Sequence, residues 1–293
     1  MKLSGVYLPV TTPFMDENVA ADKFIANIEK FEQYDLSGYV IFGSTGEAAH
    51  LTDEEKLALL TELRKNSSTR KQLIAGTGLA STHETINFTR KVADIGVDYA
   101  LVVTPNYYQN QAAEEGMKRH YLEVADNSPI PILLYNVPMF TAVDLSADLI
   151  ESLSAHSNII GIKDSTDKFS KITEIIALQN RSFAILIGSI LHSFMGYFLG
   201  VQGAVLAMAN IVPQHCVQLY QHSLNKSFDE ARSRYLEVIA LQKKIVAPFG
   251  IAGVKAALDV LGFFGGHPRL PLRPLDGEQM ECIKSELTAF KLT

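Results

Sequence analysis

Only two cysteines, Cys216 and Cys282, occur in the 293 residues, too few for a disulfide framework or a cysteine-ligated metal cluster. Positive charge is not in excess either. Lys and Arg number 26 against 32 Asp and Glu, a formal net charge of -6, and a chain without a basic footprint is not expected to take a nucleic-acid partner. No segment reaches transmembrane length, and Met1-Lys2-Leu3-Ser4-Gly5 lacks the long apolar run of a secretory signal. The expectation is therefore a soluble cytoplasmic protein with no membrane partner. None of the eight histidines, His50, His192, His215 and His267 among them, stands in H-E-x-x-H or another ligand spacing, so no metal is expected. G-x-S-x-G is absent around Ser44, which argues against a hydrolase nucleophile. No G-x-G-x-x-G follows the first apolar run, which argues against an open dinucleotide-binding sheet.

What is present is a regular alternation. Hydrophobic residues make up 47% and charged residues 20%, an ordinary globular balance, and the length suits one large barrel or two modest domains. Short β-rich runs occur at about Gly5 to Val10, Gly38 to Phe42, Gln72 to Ala75, Ala100 to Val103, Ile132 to Tyr135, Ile159 to Lys163, Ala184 to Ile187 and Gly203 to Leu206. Amphipathic segments separate them: Ala21 to Tyr34 with Phe24, Ile25, Ile28 and Phe31 on one face, a helix start at Thr52-Asp53-Glu54-Glu55, another near Thr82, and Glu114 to Val124. Eight strands alternating with helices predict a parallel (β/α)8 TIM barrel. From about Ser227 the pattern is helical only: one run through Lys244, one from Gly253 to Leu261 and one from Asp276 to Leu292. The expected division is a catalytic barrel over residues 1–226 with an appended C-terminal helical bundle over 227–293. Phe194, Met195 and Phe198 share a helix and read as core, and Lys255 on a late helix reads as snorkelling to solvent.

Barrel chemistry sits at the C-terminal ends of the strands, and the unusual residues fall there. Ile159-Ile160-Gly161-Ile162-Lys163-Asp164-Ser165-Thr166 reads as an apolar strand that ends on a lysine. Burial disfavours an ammonium and leaves an amine able to attack a carbonyl, so Lys163 is a candidate for a Schiff base with a keto acid; the alternative is a strand-end lysine reaching solvent. Gly43-Ser44-Thr45-Gly46-Glu47 follows strand two. Its glycines and hydroxyls could hold a carboxylate or phosphate, or make only a tight capped turn. Asn106-Tyr107-Tyr108 follows strand four, Tyr135 ends strand five, and Gly188-Ser189 closes strand seven. Phenols there are proton relays or half-buried packing. Hydroxyls, phenols and one amine converge on one rim.

With Gly43-Ser44-Thr45-Gly46-Glu47, Tyr135-Asn136-Val137-Pro138 and Gly161-Ile162-Lys163-Asp164 in this order, the chain resembles the family of dihydrodipicolinate synthase and N-acetylneuraminate lyase, the pyruvate-dependent class I aldolases. The resemblance runs from Leu8-Pro9-Val10-Thr11-Thr12-Pro13-Phe14 to Pro268-Arg269-Leu270-Pro271-Leu272, essentially the whole chain. It implies that Lys163 is the Schiff-base lysine and that Ser44 and Thr45 hold the pyruvate carboxylate. It also implies that Tyr135 shuttles protons and that Tyr107 reaches into a neighbouring subunit's site. Val205 matches a position whose backbone carbonyl faces pyruvate. A homo-oligomer follows, a dimer at least and commonly a tetramer built as a dimer of dimers, with no cofactor: the iminium nitrogen itself is the electron sink.

Departures from the family pattern bear on the second substrate. Where dihydrodipicolinate synthases carry an arginine for the aldehyde's carboxylate, Val137-Pro138-Met139-Phe140-Thr141 has Phe140, and losing a bidentate clamp is not a mild change. Gly188-Ser189-Ile190-Leu191 lacks the acidic residues that hold sugar hydroxyls in sialic acid lyases. Lys163-Asp164-Ser165 with Gly188-Ser189, and Phe249-Gly250-Ile251-Ala252-Gly253-Val254-Lys255 with Gly262-Phe263-Phe264-Gly265-Gly266, look more like the 4-hydroxy-2-oxoglutarate aldolase branch. Ser165, Gly188, Ser189 and Phe140 are thus the residues expected at the substrate's far end. The expected reaction makes or cleaves a short 4-hydroxy-2-keto acid, of the 4-hydroxy-2-oxoglutarate or 2-keto-3-deoxy type, from pyruvate and a small aldehyde. The alternatives are condensation of pyruvate with aspartate semialdehyde, and a non-catalytic keto-acid binder on the same scaffold.

Overall fold

Eight strands form where the apolar runs predict them: β1 (Gly5–Pro9), β2 (Gly38–Ile41), β3 (Gln72–Gly76), β4 (Tyr99–Val103), β5 (Ile132–Asn136), β6 (Ile159–Asp164), β7 (Ala184–Ile187) and β8 (Gly203–Val205). In the computed structural model, which describes residues 3–109, 113–178 and 182–292, they close into a barrel in sequence order with β8 beside β1. Strand pairing is parallel. Nearly every strand residue is buried, as expected of parallel strands covered on both faces. By compactness the chain divides into two units, Met1–Gly5 with Gln72–Val205, and Val6–Lys71 with Leu206–Thr293.

The first unit carries β3 to β8 and the helices α3 (Thr82–Asp94), α4 (Glu114–Asn127), α5 (Ala147–Ser154), α6 (Phe169–Ile176) and α7 (Ile190–Leu199). Serines start three of these helices: Ser81 accepts from Glu84 N–H, Ser146 from Leu149 N–H and Ser189 from Leu191 N–H, each satisfying an otherwise orphaned donor. β5 and β6 pair so that Tyr135 lies opposite Lys163 and Asn136 opposite Asp164. Gly161 is required in β6, since a Cβ there would lie 2.5 Å from the Ala184 carbonyl oxygen of β7.

The second unit holds β1 beyond Gly5, β2, and the helices α1 (Ala21–Phe31), α2 (Asp53–Asn66), α8 (Pro213–Leu224), α9 (Phe228–Leu241), α10 (Ala247–Val260) and α11 (Gly277–Ala289). The Thr52 signal is a full capping box with Glu55. α1 buries Phe24, Asn27, Ile28 and Phe31 while Ile25 is only half-buried. The Asn27 side chain exchanges hydrogen bonds with the backbone of Phe264, at 2.7 and 2.9 Å.

Three local expectations are corrected. The two late helical runs are not separated: α9 continues through a π-helical stretch, Gln242–Val246, into α10, which bends at Gly250 (φ 54°). Met195 lies on the outward side of α7 and is exposed, unlike Phe194, because a four-residue helical spacing separates Leu191, Met195 and Leu199 from the buried stripe. Lys255 does not reach solvent; it is 1% exposed. Among the described residues no helix is long and apolar enough to cross a membrane.

Candidate active site

Lys163 is the fifth residue of β6 and is 4% exposed. Its Nζ lies 4.2 Å from the ring centroid of Tyr135, its partner in the β5–β6 register, close enough for the π face to interact with an ammonium. The amine and the phenol therefore meet because two adjacent strands present them at the same level. That neighbourhood follows from pairing, not from sequence distance.

The next residue on each strand points the other way, by the period-two alternation of strands, and there Asn136 and Asp164 form a buried clamp. Asn136 Nδ2 donates to Asp164 Oδ2 at 2.8 Å and to Asp144 Oδ1 at 2.9 Å, and its Oδ1 accepts the Leu145 N–H at 3.1 Å. Asp164 Oδ1 accepts the Thr166 N–H at 3.0 Å. Burial raises the Asp164 carboxyl above its ordinary value, an effect that the Asn136 hydrogen bond opposes. Lys171 lies 3.9 Å from Asp144. The clamp ties the loop after β5, which carries Phe140, to the loop after β6, which carries Ser165. Neither Asn136 nor Asp164 is among the expected site residues, although both sit inside the quoted motifs; the alternation along each strand is the signal that separates their task from that of Tyr135 and Lys163.

The other expected residues of this unit occupy the ends of neighbouring strands. The Gly188 N–H donates to the Asp164 carbonyl at 2.6 Å, and a Cβ at Gly188 would fall 1.8 Å from Ser165 Oγ. Ser165 and Gly188 are thus brought into direct contact. The Ser189 hydroxyl is engaged as the cap of α7, accepting from Leu191 N–H at 3.3 Å. Val205 is the buried last residue of β8. Phe140, in a single helical turn over Pro138–Thr141, is 58% exposed, and Tyr107 is 78% exposed with its ring edge-on to Tyr108 at 4.9 Å. The structure does not bring Phe140 or Tyr107 into the buried Lys163–Tyr135 cluster.

Ser44 and Thr45 belong to the second unit, half-buried in a 3₁₀ turn over Ser44–Gly46. Two non-glycine residues with left-handed backbone bracket that turn, Phe42 (φ 58°) and Glu47 (φ 54°), each at a cost of roughly 1–2 kcal/mol. Gly46 is held between them: its carbonyl accepts from Thr12 Oγ1 at 2.7 Å, and a Cβ there would lie 2.9 Å from the Val10 carbonyl oxygen. Among the described residues no group of three or more His, Cys, Asp or Glu could hold a metal ion.

The model of the dihydrodipicolinate synthetase family matches residues 2–290. The 4-hydroxy-tetrahydrodipicolinate synthase of Methanothrix thermoacetophila is 34% identical over 286 residues, covering 97% of this chain and 96% of that protein. A protein of Emericella nidulans named probable 4-hydroxy-2-oxoglutarate aldolase, mitochondrial, is 35% identical over 290 residues, covering 96% and 92%. Among solved structures, the chloride-inhibited dihydrodipicolinate synthase of Acinetobacter baumannii complexed with pyruvate superimposes with a TM-score of 0.93 at 30% identity over 100% of both chains.

Proposed function

The chain belongs to the dihydrodipicolinate synthetase family, and from that premise we propose that Lys163 forms the Schiff base through which it joins pyruvate to, or releases it from, a short aldehyde. Family membership makes the protein a pyruvate-dependent carbon–carbon lyase or synthase of the class I aldolase type. The observation that carries the assignment to Lys163 is the buried amine held 4.2 Å from the ring of Tyr135.

In the proposed reaction the neutral amine of Lys163 attacks the pyruvate carbonyl carbon and water leaves, giving an iminium. Loss of a methyl proton gives an enamine, whose carbon attacks the aldehyde to form the new bond; hydrolysis then returns the lysine and releases a 4-hydroxy-2-keto acid. Cleavage is the reverse sequence. Tyr135 carries protons between the carbinolamine, the imine and the aldol oxygen, with Tyr107 of a neighbouring subunit continuing the relay. Ser44 and Thr45 take the carboxylate, and the Val205 carbonyl faces the bound pyruvate. Ser165, Gly188, Ser189 and Phe140 receive the far end of the substrate. The protein works as a cytoplasmic homo-oligomer, a dimer of dimers, without a cofactor.

Phe140 counts against aspartate semialdehyde, because no guanidinium stands there to clamp that acceptor's carboxylate, and so supports the short 4-hydroxy-2-keto acid reading, of the 4-hydroxy-2-oxoglutarate or 2-keto-3-deoxy type. Condensation with aspartate semialdehyde is equally compatible with the named relatives. Borohydride trapping with pyruvate, read by intact and peptide mass spectrometry, tests the mechanism: a pyruvate-sized adduct is expected on Lys163 and absent in Lys163→Ala. No adduct on protein that binds pyruvate would sink the imine and favour a non-catalytic keto-acid binder. Turnover with glyoxylate against aspartate semialdehyde then separates the two reactions.

A further inference from the structure

Glu47 ends the Gly43-Ser44-Thr45-Gly46-Glu47 turn and takes no part in the chemistry above, yet its carboxylate is buried, the residue being 3% exposed. Its partner is Lys255 of α10, whose Nζ lies 2.5 Å from Glu47 Oε1. The same Nζ donates to the His267 carbonyl at 3.0 Å and sits 4.4 Å from the Phe14 ring centroid. The other carboxylate oxygen, Oε2, accepts the Arg269 backbone N–H at 3.0 Å and lies 3.2 Å from His50 Nδ1. Arg269 stacks over Phe14 at 4.3 Å and pairs with Glu55 at the start of α2. One end of the turn is therefore fastened to α10 and to the segment that follows it.

Two features give this pair a positional role. The left-handed backbone at Phe42 and Glu47 persists only where the surroundings over-determine it, and the Glu47 side chain ties that turn to Lys255 and to the Arg269 backbone, both far along the chain. A buried ion pair also adds little net stability over an apolar pair of the same volume, while fixing register well. We propose that the Glu47–Lys255 pair is a positioning device that holds the Ser44 and Thr45 hydroxyls where they receive a keto acid's carboxylate, so that the helices beyond the barrel strands set the affinity for pyruvate. This rests on the reading in which Ser44 and Thr45 take that carboxylate.

The test measures borohydride trapping on Lys163 as a function of pyruvate concentration in wild type, in Lys255→Met and in Glu47→Gln/Lys255→Met, with thermal melting of each. Lys255→Met strands a buried carboxylate; the double variant removes both charges at similar volume and so retains the fold. In folded variants the half-saturating pyruvate concentration is expected to rise at least ~10-fold, about 1.4 kcal/mol of carboxylate binding, with the limiting trapping rate within about threefold of wild type. A purely structural lesion would instead lower the amount of reactive protein and leave half-saturation where it was. An unchanged half-saturation in the double variant overturns the proposal, and so does loss of cooperative melting in both variants, which would make the pair a folding element. Absence of any adduct on wild-type Lys163 refutes the Schiff-base reading instead, so the two failures are distinct.

Discussion

Replacing Asn136 by alanine should unsettle the site from behind, without touching Lys163 or Tyr135. The side chain makes three hydrogen bonds, two of them to carboxylates at 2.8 and 2.9 Å and one from the Leu145 N–H at 3.1 Å. Hydrogen bonds to charged groups are each worth about 1.5–3 kcal/mol, but they do not weigh equally here. The Asp144 side chain is 40% exposed and recovers water when its donor is lost, so that bond counts for little. Asp164 is 1% exposed and among the described residues keeps only the Thr166 N–H on its other oxygen. The expected loss is about 2–4 kcal/mol, or roughly 4–8 °C in Tm for a chain of this size.

That loss should depend on pH, and the sign follows from Asp164. Burial already raises its folded-state pKa above 3.8, so the folded protein binds this proton more readily than the unfolded chain does, and this group's contribution falls as pH rises through the folded value. Removing the Asn136 donor raises that value further. Asn136→Ala should therefore melt closer to wild type at pH 5 than at pH 8, measured by circular dichroism, and Asn136→Ala/Asp164→Ala should lose most of that difference. A Tm drop below about 2 °C, or one of equal size at both pH values, would refute the clamp.

Two further predictions rest on packing and burial. Gly188→Ala would put a methyl 1.8 Å from Ser165 Oγ; an overpacking cost of about 1–3 kcal/mol and reduced aldol turnover are expected with the Lys163 adduct retained, and adding Ser165→Gly should recover the lost melting temperature but not the turnover. His120, buried with its Nδ1 3.0 Å from Thr82 Oγ1 and with no partner for its Nε2 among the described residues, has its pKa lowered to about 4 from 6.5 by burial. The unfolded chain then binds this proton more readily between pH 6.5 and 4, so stability falls as pH drops through that window, by up to about 3 kcal/mol. In urea unfolding from pH 7 to pH 4.5, His120→Gln should show a shallower decline than wild type; equal slopes would exclude His120 as the source.

Much of the fold was legible because its signals are local. Strand boundaries fell within a residue or two of the apolar runs, β7 matching at both ends, and the helix start at Thr52 carries the capping chemistry that its residues announce, while the helix near Thr82 is capped by Ser81. Lys163 and Tyr135 could be singled out as odd residues at strand ends. That they touch is a matter of register between β5 and β6, which no single strand encodes.

The sequence by itself determined the alternation of strands and helices, the chemical types gathered at the strand ends and the family resemblance, since each rests on spacing along one stretch of chain. Tertiary structure alone decided what long, adaptable side chains do. Lys255 reads as a snorkelling surface lysine, but the fold seals it against Glu47, more than two hundred residues away. Asn136 stands in the sequence only as the residue after the one that ends the fifth apolar run, but the fold sets it between two carboxylates. A charged or amide group far from water takes whatever partner the packing supplies, and the cost of leaving it unpaired makes that choice a property of the whole fold.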